Sequence, residues 1–218
     1  MPDPEAAKSI TTFLFDLDGT LVDSATDLAT SVNLLRQEHD LPPLDLDTVR
    51  RYVGDGATML IRRAMPEGAF RVGQLHRFLE LYSHHLVEAT APYPGITEFL
   101  ERHRQMKMAV VTNKPVELSR QLLDRLDLSH YFKVVIGGDS FERKKPSAMP
   151  LLAALDQLGS APDKAVMIGD HHTDLHAGNA AGVATCFCSW GLGNTGDAMP
   201  TWRVNSVSEL SRLFPEVR

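Results

Sequence analysis

Hydrophobic and polar positions change rhythm along the chain. Thr11–Phe15 is a short apolar run that stops at Asp16-Leu17-Asp18-Gly19-Thr20, which predicts a strand ending in a glycine turn. From Ser24 the spacing turns helical: Ala25, Leu28, Ala29, Val32 and Leu35 recur at i, i+3, i+4 and i+7. Ser24, with Asp27 three residues later, has the form of a capping box, and Leu41-Pro42-Pro43 breaks the helix. Ala57–Met65 and Val72–Val87 also read as helices, the second with Leu75, Phe78, Leu79, Tyr82 and Leu86 on one face. No strand pattern occurs between about 24 and 90, which predicts a small all-helical unit.

From Pro92 short apolar runs alternate with helical stretches. Strands are predicted at 108–112, 134–136, 165–168, 183–187 and 202–204, and helices near 95–105, 115–127, 147–158, 173–181 and 206–214. That alternation implies parallel strands joined by right-handed crossovers, with the first strand added to the same sheet. The expected class is α/β, a parallel-sheet core interrupted after its first strand by a helical insertion. The expected division is a core of 9–23 with 91–218 and an insertion of 24–90. The first eight or so residues read as a loose tail.

Composition narrows the function. The 218 residues are 43% hydrophobic and 23% charged, an ordinary globular balance. A net charge of −6 disfavours a nucleic-acid partner. No apolar run approaches membrane-spanning length, and the acidic start, Met1 to Glu5, is not a signal peptide. Cys186 and Cys188 are too close for a good disulfide and too few for a zinc site, which points to core packing in a cytoplasmic protein.

Ligands of open α/β sheets bind at the carboxyl ends of the strands. Here those ends carry Asp16 and Asp18, Thr112-Asn113-Lys114, and Asp170 with Asp174, while Lys144-Lys145-Pro146 lies in a loop on the same edge. Asp16 and Asp18 share one side of extended backbone, and Gly19 lets the chain turn. Four carboxylates around one point need cations. Lys145 supplies one charge, and a hard divalent ion such as Mg²⁺ supplies the rest. A carboxylate beside such an ion is suited to attack phosphorus through an aspartyl-phosphate, with a second acid two residues on to protonate the leaving alcohol.

These motifs carry a family resemblance. Phe15-Asp16-Leu17-Asp18-Gly19-Thr20-Leu21-Val22-Asp23-Ser24, Val110 to Pro115, Lys145-Pro146, and Ile168 to Asp174 resemble, in order, the four motifs of the haloacid dehalogenase (HAD) superfamily. The resemblance spans nearly the whole chain and implies a Rossmann-like core with a C1-type helical cap. Tyr52-Val53-Gly54-Asp55-Gly56-Ala57, Tyr93-Pro94-Gly95-Ile96 and Thr112-Asn113-Lys114-Pro115 are most similar to the phosphoglycolate phosphatase group. The resemblance implies Asp16 as nucleophile and Asp18 as general acid/base. Gly19, Thr20, Thr112, Asn113 and Lys145 would serve the phosphoryl group, with Thr112 and Lys145 also counted in the catalytic set. It further implies Mg²⁺ on Asp16, Asp170 and the Asp18 backbone carbonyl, with Asp174 orienting that shell. The implied substrate is a small phosphate ester, 2-phosphoglycolate first. The alternatives are a sugar phosphate, including the N-acetylmuramate 6-phosphate type, or phosphosugar mutase chemistry. Dehalogenation fits less well, because Asp18 has no work when halide leaves. The expected assembly is a monomer or homodimer.

Some residues depart from the pattern. Ala148 stands where a second Pro is usual, Asp55 where Asn is common, and His171 where a small residue is usual. His171, His172 and His176 read as exposed histidines rather than zinc ligands, since His-Glu-x-x-His is incomplete. Arg50, Arg51, Arg62 and Arg63 read mostly as a solvated face. Gly191-Leu192-Gly193-Asn194-Thr195-Gly196 fits a dinucleotide fingerprint only literally; Pro200 follows, so it reads as a flexible loop.

Overall fold

The computed structural model describes residues 7–216. Six strands form one parallel sheet: β1 (Thr12–Phe15), β4 (Lys107–Val111), β5 (Val134–Ile136), β6 (Ala165–Gly169), β7 (Ala184–Cys188) and β8 (Trp202–Val204). Their order is β5-β4-β1-β6-β7-β8. β1 is central, with Phe15 opposite Val110 on one side and Ile168 on the other. All four of its side chains are buried, as a strand covered on both faces requires. Phe13 and Phe15 pack with Phe99, and Phe13 also meets Phe214 at a ring-centroid distance of 5.3 Å. Leu14 points to the opposite layer, with Val111, Leu151, Leu155 and Met167.

Because β4, β1 and β6 are neighbours in register, the residues just beyond their carboxyl ends come together. Strands lie about 4.8 Å apart, so Asp16, Thr112 and Asp170 share one short stretch of sheet edge. The covering helices on the core side are α5 (Ile96–Arg102), α6 (Val116–Arg125), α7 (Met149–Leu158), α8 (His172–Ala181) and α9 (Val207–Leu213).

Between β1 and β4 the chain forms α1 (Ala25–Gln37), α2 (Leu46–Arg50), α3 (Ala57–Ala64) and α4 (Val72–His84). It leaves and returns through an antiparallel ribbon of two-residue strands, β2 (Val22–Asp23) and β3 (Ala91–Pro92). Neither the ribbon nor α2 shows in the sequence pattern, since elements of two and five residues are too short for periodicity. What starts α2 is a cap: Thr48 donates its backbone N–H and its hydroxyl to the Asp45 carboxylate, at 2.7 and 2.9 Å.

The capping box expected at Ser24 and Asp27 does not form. Ser24 makes no side-chain cap bond and donates to Asp18 Oδ1 at 2.5 Å. Asp27, 1% exposed, accepts the backbone N–H groups of Glu88, Ala89 and Thr90 and the Thr90 hydroxyl. Both side chains are drawn to distant donors and acceptors that burial makes costly to leave unpaired. The tail reading also ends early, since Ala7 and Ile10 are buried; residues 1–6, and with them the signal-peptide reading, lie outside the described residues. Cys186 and Cys188 are buried free thiols on β7. Among the described residues no helix is long and apolar enough to cross a membrane.

Asp27 therefore ties the returning chain to the first inserted helix. Asp27→Ala should cost roughly 2–4 kcal/mol, because it strands several donors at once. Urea unfolding of wild type and variant measures this, and a loss below about 1 kcal/mol would mean that the tie carries little of the stability.

Candidate active site

The chain turns at the end of β1 because Gly19 holds a positive φ of 84°, a conformation that favours glycine. A Cβ there would collide with the Asp170 carboxylate, so the turn also sets how closely these two loops approach. Gly19 donates its N–H to Val22 O, and Thr20 donates its own to Leu17 O. The Thr20 hydroxyl donates to Asp170 Oδ1 at 3.0 Å. Both residues, expected beside the phosphoryl group, thus commit these donors to the turn and to Asp170.

Asp16, Asp170 and Asp174 place carboxylate oxygens within 4.8 Å of one another. Lys145, 1% exposed, is the counter-charge: Nζ donates to Asp174 Oδ1 at 2.6 Å and to Val111 O at 2.5 Å. It also lies 3.0 Å from Asp16 Oδ1, but not aligned for a hydrogen bond, and that buried oxygen has no hydrogen-bond partner. Burial pushes Asp16 up to about 6, with Asp174 adding to the rise and Lys145 opposing it. Burial, then the Asp16 and Asp174 carboxylates, push Asp170 up to about 7. Burial alone would lower Lys145, but Asp16 and Asp174 outweigh it and raise the ammonium above its usual range.

Three buried carboxylates, one with an unpartnered oxygen, fit a hard cation. The three differ in how their oxygens are used. Asp174 takes Lys145 on one oxygen and the His171 backbone N–H on the other. Asp170 accepts from Thr20 and from the backbone N–H groups of Leu192 and Gly193, at 2.8 and 2.9 Å. The glycine-containing loop from Gly191 thus holds an acid of the cluster, a role with no signal in its spacing.

Asp18 faces the inserted helices. Its carboxylate accepts from Ser24 and, at 3.0 and 3.1 Å, from Lys114 Nζ. Lys114 also donates to the Tyr82 hydroxyl of α4 at 2.6 Å. In the sequence Lys114 belongs to a motif without a role of its own, Ser24 reads as a cap, and Tyr82 reads as part of an apolar face. Thr112 is buried and lines the cavity beside Asp16 and Asp18. Asn113 Nδ2 donates to Lys145 O and, across to the insertion, to Gly54 O at 3.0 Å, leaving Oδ1 without a partner. The remaining wall is mainly apolar, including Leu28, Val53, Leu60, Phe78 and Leu79.

Two of the departures from the family pattern, Asp55 and His171, meet each other. Ligand atoms of Asp55, His171 and His172 lie within 4.8 Å of one another. His171 is buried, not exposed as expected; a Cβ at Gly54 or Gly193 would strike its ring. Burial, then His172, push His171 down to about 4. His176 pairs instead with Asp197 at 3.0 Å. Arg63 holds Asp55 at 2.5 Å, and Arg50 lies 3.5 Å from Asp23. Ala148 is the residue before α7, whose first turn contains Pro150.

Residues 13–188 match the family model described as haloacid dehalogenase-like hydrolase. The chain is 39% identical over 203 residues to a phosphoglycolate phosphatase of Aquifex aeolicus, covering 92% of this chain and 95% of that one. It is 37% identical over 216 residues to a phosphoglycolate phosphatase of Chromobacterium violaceum, covering 95% and 97%. A solved structure from Haemophilus somnus, described as a predicted phosphoglycolate phosphatase, superposes with a TM-score of 0.85 at 27% identity, covering 94% of this chain and 98% of that one.

The carboxylate cluster makes a stability prediction. Asp170, raised from 3.8 to about 7, holds its proton in the folded but not the unfolded chain across that window. Its contribution therefore falls as pH rises through the window, and the cost is complete above about 7. In chelator at pH 8, Asp170→Asn should be more stable than wild type by a few kcal/mol, because each tenfold change in proton affinity is worth about 1.4 kcal/mol. The gap should shrink toward pH 5. Urea midpoints at the two pH values test this; a gap that does not change with pH contradicts it.

Proposed function

The chain belongs to the haloacid dehalogenase-like hydrolase family and is an enzyme, a phosphatase, and from that premise we propose that it hydrolyses 2-phosphoglycolate through an aspartyl-phosphate on Asp16. The observation that carries the reading is Asp16 itself: a buried carboxylate lining the cavity, with Oδ1 beside Lys145 yet accepting no hydrogen bond. Such an oxygen keeps a lone pair for attack.

In the first step an Asp16 oxygen bonds to phosphorus while the ester P–O bond breaks and Asp18 gives its proton to the departing alcohol oxygen. In the second, Asp18 takes a proton from water, the water oxygen bonds to phosphorus, and the Asp16–phosphorus bond breaks to release inorganic phosphate. Lys145 offsets charge on the phosphoryl oxygens, and the Thr112 hydroxyl and Asn113 border them. Asp16, Asp170 and the Asp18 backbone carbonyl would hold Mg²⁺, which supplies two positive charges against the phosphoryl oxygens. Asp174 positions the Lys145 ammonium, which it accepts on one oxygen, and the start of α8, whose preceding His171 N–H it accepts on the other.

Residues 24–90 act as a cap domain over a core of 9–23 and 91–218, and cap closure excludes water from the phosphoenzyme. The relatives' phosphoglycolate phosphatase names support the substrate. So do the cavity walls, whose apolar side chains offer little to sugar hydroxyls. Two buried free thiols suit a reducing, cytoplasmic setting.

Phosphate release from 2-phosphoglycolate, sugar phosphates, an amino-sugar 6-phosphate and nucleoside monophosphates should favour 2-phosphoglycolate by about a hundredfold in kcat/KM. A peak on a sugar phosphate would overturn the substrate assignment. Asp16→Asn should lower kcat at least about a thousandfold with the fold intact by circular dichroism. Exhaustive chelation should abolish turnover and added Mg²⁺ restore it; full activity in chelator would remove the metal from the scheme.

A further inference from the structure

Lys114 is the charged group of the cavity wall that the reaction scheme leaves without a task. It follows Thr112 and Asn113 beyond β4, and it is 6% exposed. Its Nζ donates to both Asp18 oxygens and to the Tyr82 hydroxyl, and it lies 4.3 Å from the Tyr82 ring centroid. Among the described residues that line the cavity it is the only cation.

Asp18 serves as a ruler for what Lys114 can reach. To protonate the leaving group, Asp18 must touch the ester oxygen. Lys114 touches Asp18, so its ammonium stands beside the atoms that follow that oxygen in the substrate. We propose that Lys114 determines specificity by binding a carboxylate carried two bonds beyond the ester oxygen, with the Tyr82 hydroxyl as a second donor. This rests on the phosphatase reading and assigns the substrate class that the same site selects.

Charge supports the assignment. A substrate carboxylate placed next to Asp18 brings two like charges together, and an ammonium between them makes that arrangement tolerable. One ammonium already shared with Asp18 suits a single negative charge better than a second phosphate dianion. The apolar residues that line the same cavity, Leu28, Leu60, Phe78 and Leu79, would leave hydroxyls or a neutral polar group unsatisfied. A cationic substituent would meet Lys114 directly and be repelled.

Three esters of similar length separate these effects: 2-phosphoglycolate, ethyl phosphate and 2-aminoethyl phosphate. Wild type should prefer the first over the third by at least about a hundredfold in kcat/KM, about 2.7 kcal/mol. Lys114→Gln should reduce that ratio about a hundredfold, and should lower activity on 2-phosphoglycolate far more than on ethyl phosphate. General damage to the site, or a role only in holding Asp18, would lower all three together, and that result overturns the proposal. An unchanged ratio overturns it as well. If Lys114→Gln does not fold, Tyr82→Phe is the test: it should shift the same ratio about tenfold, and no shift overturns the proposal. A wild-type enzyme that cleaves all three esters equally overturns the proposal while upholding the phosphatase reading; one that cleaves none of them fails at that reading instead.

Discussion

Asp16, Asp170 and Asp174 share a buried space with a single ammonium, that of Lys145. Like charges cannot all persist there without a cation, and much of the local structure serves that constraint. Asp174 gives both its oxygens to fixed donors, and Asp170 is met by two backbone N–H groups and a threonine. Of the three, Asp16 keeps an oxygen without a hydrogen bond. The asymmetry distinguishes Asp16 from its two neighbours without any difference in residue type.

The sheet makes this arrangement possible. Three adjacent parallel strands deliver their carboxyl ends to one edge, so acids distant in sequence meet without a long loop. The core beneath is closely packed, with Phe13 and Phe15 on one side of β1 and Leu14 on the other. A strand buried on both faces has little freedom to let Asp16 drift.

The strands and most helices were legible in the sequence because each is long enough to show its period. Asp16, Asp18, Lys145 and Asp170 stood out through ordered motifs. What stayed hidden was partnership across distance. Ser24 followed by Asp27 has the local form of a cap, and nothing in that spacing reveals Asp18 or the backbone at 88–90 as the true partners. The 191–196 segment reads as a flexible loop because its contribution is made by main-chain N–H groups, which carry no residue signature. His171 looked exposed because the glycines that pack on it, Gly54 and Gly193, are far away in sequence.

The ribbon of β2 and β3 has a mechanical meaning. It joins the inserted helices to the sheet through two pairs of residues, Val22 with Pro92 and Asp23 with Ala91. Ser24 sits one residue beyond this narrow neck and donates to Asp18; Tyr82, from α4, grips the lysine that also holds Asp18. Any rotation of the helices about the neck would pull on both handles at once. The neck and its handles have the form of a crank: a change in the angle of the helical unit would reach the Asp18 carboxylate through Ser24 on one side and Lys114 on the other.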